Sequence, residues 1–106
     1  MFAFPPEEWA AFKANIKASA DLSAKGRVLS RMVFSMAFEA ALDRQGRVLI
    51  PTKLAQYAGL SREVTVAGVD DRLEIWDTGE WNRYLTGADE SFADIVEEFA
   101  GRDFGV

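Results

Sequence analysis

The chain has 106 residues, 49% of them hydrophobic and 12% aromatic, with no cysteine, no histidine and a formal net charge of −5. That length suits one compact domain, and the missing residue types exclude disulfides, cysteine or histidine metal centres and the commonest catalytic bases and nucleophiles. No apolar run approaches the ~20 residues of a membrane span, and M-F-A-F-P-P-E-E lacks the basic and apolar regions of a secretion signal, so the reading is a soluble cytoplasmic protein without membrane contact.

Pro5-Pro6 opens a first helix, since proline is tolerated in a first turn, and Glu7 and Glu8 sit there favourably against the helix dipole. Trp9, Phe12 and Ile16 recur on one face of it. Asp21 or Ser23 is placed to cap a second helix. Its stripe is Val28, Leu29, Met32, Val33 and Met36, with Arg27 and Arg31 on the flank. The period then changes. Phe38, Ala40 and Leu42 alternate with Glu39 and Ala41, which predicts a strand. Arg44-Gln45-Gly46 predicts a turn, and Val48 and Ile50 the return strand.

Pro51 ends that strand and begins a short helix with Leu54, Tyr57 and Ala58 inward and Gly59 as its C-terminal cap. Val64, Val66 and Gly68 read as a strand, Asp70-Asp71 as a turn, and Leu73 and Ile75 as the partner strand. Asp77 or Thr78 caps a helix holding Trp81, Tyr84 and Leu85. After Gly87 the pattern predicts a separate final acidic helix, with Phe92, Ile95, Val96 and Phe99 on one face, ending at Gly101.

Two repeats present themselves. G-R-V-L occurs at 26–29 and at 46–49, but the first copy lies in a helical stripe and the second in a turn and strand, so the periodicities disagree. The other repeat is longer. F-A-F-P-P-E-E-W-A-A-F at 2–12 aligns with E-I-W-D-T-G-E-W-N-R-Y at 74–84, pairing Phe4 with Trp76, Glu8 with Glu80, Trp9 with Trp81 and Phe12 with Tyr84. At that spacing the counterpart of Asp43 falls before Met1, so the chain reads as beginning partway through its first repeat.

Charge is unevenly placed: net 0 over residues 1–20, +3 over 21–53 and −8 over 54–106. A basic middle can meet phosphates although the whole molecule is acidic. Asp70, Asp71 and Glu74 cluster at a hairpin, where the simpler reading is a solvated turn rather than a catalytic or metal site. The tip at 43–47 is sharper. Asp43 and Arg47 flank a tight reversal; an arginine there can enter a major groove and bond a guanine edge, with Arg44 on a phosphate. The plainer alternative is a surface ion pair that only shapes the turn, worth under ~1 kcal/mol.

The wider string L-D-R-Q-G-R-V-L-I-P-T-K-L-A-Q-Y-A-G-L, followed by V-T-V-A-G-V and L-E-I-W, resembles the AbrB-type swapped-hairpin DNA-binding unit. E-V-T-V-A-G-V-D-D-R-L-E-I-W with E-W-N-R-Y is similar to the second half of the MraZ family of transcriptional regulators, which is linked to the division and cell-wall gene cluster. F-A-F-P-P-E-E-W-A-A-F and the stripe ending S-R-M-V-F-S-M-A resemble the end of that family's first half and its connecting helices. The resemblance spans residues 2–86.

It implies an α+β fold: half of an AbrB-like swapped-hairpin β-barrel with connecting helices and an extra C-terminal helix. Residues 1–36 would be the end of a first repeat that is mostly missing, 37–86 a complete repeat, and 87–106 an acidic helix and tail. Function would be non-enzymatic, without cofactor or metal. Family members form homo-oligomeric rings whose D-x-x-x-R loops read direct repeats of promoter DNA at the nucleoid; the motif carries over onto Asp43, Arg44, Gln45, Gly46 and Arg47. Arg27 and Arg31 match no transferable motif and read as a solvated helix flank. Two alternatives stand beside this: an interaction subunit that does not itself bind DNA, and an AbrB- or MazE-like antitoxin. The tryptophan repeat disfavours the latter, since such proteins usually carry one unit.

Overall fold

The computed structural model describes residues 1–99. Its elements are β1 (Phe2–Ala3), α1 (Pro6–Leu22), α2 (Ala24–Met36), α3 (Thr52–Tyr57), β2 (Val64–Val69), β3 (Arg72–Asp77) and α4 (Thr78–Phe99). The fold is α+β. A three-stranded antiparallel sheet runs in the order β1-β3-β2, is not closed into a barrel, and is accompanied by the helices.

α1 begins where the sequence places it, with Pro5 as N-cap and Pro6 in the first turn. Ser23 breaks the chain between α1 and α2: its backbone is extended, and its Oγ accepts from Gly26 N at 2.9 Å, satisfying an orphan donor of α2. Gly26 is buried where the helices cross, and a Cβ built there would lie 1.8 Å from the Ser19 carbonyl oxygen. Only glycine permits that approach. The first copy of G-R-V-L is thus a helix-crossing element, unrelated to the turn at 46–49. Ile16, at 8% exposure, is the large side chain that the helix pair buries.

The repeat found in the sequence is also a repeat in space. Phe4, Trp9 and Phe12 form a ring cluster with centroid separations of 6.0 Å (Phe4–Trp9), 4.7 Å (Phe4–Phe12) and 5.8 Å (Trp9–Phe12). Their counterparts Trp76, Trp81 and Tyr84 repeat the arrangement at 5.4 Å (Trp76–Trp81), 5.1 Å (Trp76–Tyr84) and 6.0 Å (Trp81–Tyr84). Each cluster joins the end of a strand to the start of the helix after it.

The hairpin of β2 and β3 turns at Asp70, which carries a φ of 55°. Asp77 then caps α4, its Oδ2 accepting from Glu80 N at 3.2 Å, while its Oδ1 accepts from Ser61 N at 3.2 Å and from the Ser61 hydroxyl. The loop before β2 is thereby tied to the start of α4. α3 ends in a Schellman motif: Leu60 N donates to Ala55 O at 2.9 Å and Gly59 N to Gln56 O at 3.1 Å, with Gly59 at φ 70°.

Three expectations are corrected. The strands at 38–42 and 48–50 are absent; those residues are irregular, and no backbone hydrogen bond engages them beyond the turn itself. A strand exists only in a ladder, and among the described residues none forms with these segments. The break at Gly87 does not occur, because α4 runs unbroken from Thr78 to Phe99. A mid-helix glycine costs about 1 kcal/mol relative to alanine, less than is needed to end a helix flanked by good helix formers. Tyr57, expected inward, is 67% exposed. The expected end at Gly101 and the tail beyond it lie outside the described residues.

Candidate nucleic-acid interface

The segment between α2 and α3 contains one ordered feature, the reversal at 43–47. Asp43 N donates to Arg47 O at 2.8 Å, and Gly46 N donates to Asp43 O at 3.1 Å. Gly46 takes φ 76° in open space. This is the hydrogen-bond pattern of a three-residue hairpin loop, a type I turn closed by a glycine in the left-handed region. The ladder that would extend from it is missing, yet the tip forms on its own.

The Asp43 carboxylate explains why. Oδ1 accepts from Gln45 N and from Arg47 N, each at 2.8 Å, and Oδ2 accepts from Arg47 Nε at 2.9 Å. One side chain therefore organises two backbone donors and one guanidinium. The backbone N–H of Arg47, foremost, holds the Asp43 carboxyl below its ordinary range, with the Arg47 side chain and the Gln45 N–H adding to it against a partial loss of hydration.

Arg47 presents the opposite aspect. Its side chain is 73% exposed although its Nε is held. Neither Nη makes a hydrogen bond among the described residues, so the outer edge of the fork, with parallel N–H donors, faces solvent from a narrow tip. A guanidinium anchored through Nε and open at both Nη groups is pre-set for a bidentate acceptor such as guanine O6/N7. Arg44 and Gln45, exposed on the same tip, complete the five positions singled out in the sequence, and the structure brings all five together.

Other candidates resolve differently. Two of the three carboxylates at the β2–β3 hairpin are engaged by neighbours: Arg72 bonds Asp71 Oδ1 at 3.2 Å and Glu74 Oε2 at 3.3 Å, and Trp76 Nε1 donates to Glu74 Oε1 at 3.1 Å. Arg72 also stacks on the Phe2 ring, its guanidinium carbon 4.5 Å from the centroid. This is a brace between β1 and β3. Among the described residues no group of His, Cys, Asp or Glu is arranged to hold a metal ion, and no helix is long and apolar enough to cross a membrane. Arg27 and Arg31 are exposed on α2, away from the tip in sequence.

Sequence reasoning missed two positioning residues. Ser61 gave no signal beyond its type, although it ties the loop before β2 to Asp77. Gly26 was visible as a glycine inside a helical stripe, a pattern that marks close helix approach.

Comparison with known families gives one finding. The profile of a family described as "MraZ protein, putative antitoxin-like" matches residues 33–103, well over half of the chain. The match contains the tip, α3, β2, β3 and α4, and extends past residue 86, where the resemblance read from the sequence ends.

Proposed function

Since the chain belongs to the MraZ family, whose members are regulators rather than enzymes, we propose that it is a DNA-binding transcriptional regulator that reads promoter direct repeats through the tips of an oligomer. Asp43 sets the tip and orients Arg47, Arg47 reads a base edge in the major groove, and Arg44 and Gln45 contact the adjacent backbone. Gly46 supplies the left-handed residue that the turn requires. Several weak tips acting on evenly spaced repeats give high affinity through effective concentration.

The observation that carries this reading is the state of Arg47: held through Nε by Asp43 at 2.9 Å, exposed, and open at both Nη groups. The test is fluorescence anisotropy of a repeat-bearing promoter fragment with wild type, Arg47→Ala and Arg27→Ala. Wild type and Arg27→Ala bind alike and Arg47→Ala loses at least about tenfold, the 1–3 kcal/mol of one bidentate contact. Equal binding by wild type and Arg47→Ala overturns the assignment.

A second reading, an interaction subunit without DNA affinity, is favoured by the exposed apolar side chains and acidic charge of α4. An assembly that binds no DNA at any salt concentration supports that reading instead.

A further inference from the structure

We propose that Leu49 is a second base-reading group of the tip, contacting the 5-methyl group of a thymine one or two base pairs from the guanine read by Arg47. The inference rests on that reading of Arg47, and it adds to each tip a specificity-determining residue of different chemistry.

Exposure and place single Leu49 out. At 88% it is the most exposed of the large hydrophobic side chains among the described residues. A leucine exposed at random on a surface means little. Leu49, however, lies two residues beyond Arg47, on the arm that leaves the tip. Exposure alternates along that arm: the Arg47 side chain is 73% exposed, Val48 41% and Leu49 88%, and Ile50 is half-buried. This is the two-residue period of an extended chain, with Arg47 and Leu49 on one side and Val48 and Ile50 on the other. Whatever Arg47 meets, Leu49 meets beside it.

Reach agrees with this. Residues two apart in an extended chain are separated by about 6.6 Å, and successive bases along a strand by about 3.4 Å. Leu49 therefore falls within one or two base pairs of the guanine under Arg47. The major groove, about 12 Å wide, admits a two-stranded ribbon. The reversal closed by Asp43 N on Arg47 O at 2.8 Å is a ribbon of that kind. Leucine is the shorter side chain, and a short one suffices, because the thymine methyl projects from the base into the groove.

Chemistry selects the base. Every base edge in the major groove offers hydrogen-bond donors or acceptors, and thymine alone adds an apolar group. Leucine against that methyl takes apolar surface of both partners out of water. Leucine against the amino group of adenine or cytosine, or against guanine O6, displaces water from a polar group and returns no hydrogen bond. One side chain thus favours thymine and disfavours the other bases. Arg47 and Leu49 together make each tip a reader of two bases, one through paired donors and one through an apolar contact.

The test changes one methyl group on the DNA and one side chain on the protein. In a repeat-bearing fragment, a guanine whose 7-deaza form weakens binding is first located. Thymine and deoxyuridine are then compared at each of the two base pairs on either side of it, in each strand, by fluorescence anisotropy. At one of these positions thymine is expected to bind wild type about fourfold more tightly than deoxyuridine, the effect of burying one methyl-sized group. Leu49→Met keeps that preference and Leu49→Gln loses it. Leu22→Gln, which alters an equally exposed leucine (85%) at the end of α1, leaves it intact. Circular dichroism confirms that each variant is folded. A response to 7-deazaguanine with no thymine preference at any position overturns the role of Leu49 and leaves that of Arg47 standing. A preference that survives in Leu49→Gln overturns it too, as does a Leu49→Gln that weakens binding while keeping the full ratio between the two bases. If no guanine responds to the 7-deaza change, the reading of Arg47 fails, and this one with it.

Discussion

Phe2 faces Glu74 across the β1–β3 ladder, and the two are counterparts in the internal repeat. An antiparallel pair in which a residue meets its own equivalent has a pseudo-two-fold axis through that pair. The β1 and β3 strands are therefore related halves joined at their common centre, and the brace formed by Arg72, Glu74 and the Phe2 ring sits on that axis. The two aromatic clusters, one from each copy of the repeat, lie to either side.

Loss of either cluster should therefore cost similar stability. Trp9→Ala and Trp81→Ala are each expected to destabilise by about 2–4 kcal/mol, the range for deleting a large aromatic from a packed but not fully buried site. Urea unfolding followed by circular dichroism measures this as a lower midpoint; a change for one variant only would mean that the clusters are not equivalent supports.

Gly26→Ala places a methyl group 1.8 Å from the Ser19 carbonyl oxygen, a separation that backbone cannot accept. α1 and α2 must move apart, and a loss of about 2 kcal/mol or more is expected, typical of overpacking at a close contact. Arg27→Ala, one position on and exposed, stays within about 0.5 kcal/mol. Thermal melts of the two variants side by side check the contrast.

The Asp43 carboxyl is expected to titrate below the ordinary aspartate range, held there first by the Arg47 backbone N–H. The sign follows from what binds it: backbone and guanidinium donors favour the charged form, so the tip's order is present above the ordinary carboxylate range and is lost as pH falls through the lowered folded value. The carboxyl carbon shift of Asp43 by NMR, followed from neutral to acid pH, reports this directly. In Arg47→Ala the titration moves up only part of the way, since the Arg47 and Gln45 backbone donors remain.

Gly46→Ala forces a side chain into φ 76° and is expected to cost about 1–2 kcal/mol in the closed form of the tip. Gly46→Asn should be better tolerated, because asparagine enters the left-handed region more readily. The amide shifts of Arg44, Gln45 and Arg47 distinguish the two, and DNA affinity should fall in the same order.

Much of this was legible in the residues, for local reasons. Pro5-Pro6, Ser23 and Gly59 act on the backbone next to them, so the ends of α1, α2 and α3 follow from short strings. Asp43 and Gly46 organise the tip within five residues, which is why the candidate site was readable without any knowledge of tertiary contacts. The misreadings depend on distant or cumulative effects. The alternation of Phe38, Ala40 and Leu42 records a preference for pairing, but pairing needs a strand beside it. Gly87 resembles a terminator in a short string, but its cost is small against the rest of a 22-residue helix. Ser61 became visible only when the chain brought it to Asp77.

The most direct test of the central claim pairs a protein atom with a DNA atom. Anisotropy titrations of a repeat-bearing promoter fragment are run with guanine and with 7-deazaguanine in the repeats, against both wild type and Arg47→Ala. The expected result is that removing guanine N7 weakens wild type by about tenfold, in keeping with one base-edge contact, and leaves Arg47→Ala unchanged. If 7-deazaguanine does not weaken wild type, or weakens both proteins equally, Arg47 does not read a guanine edge.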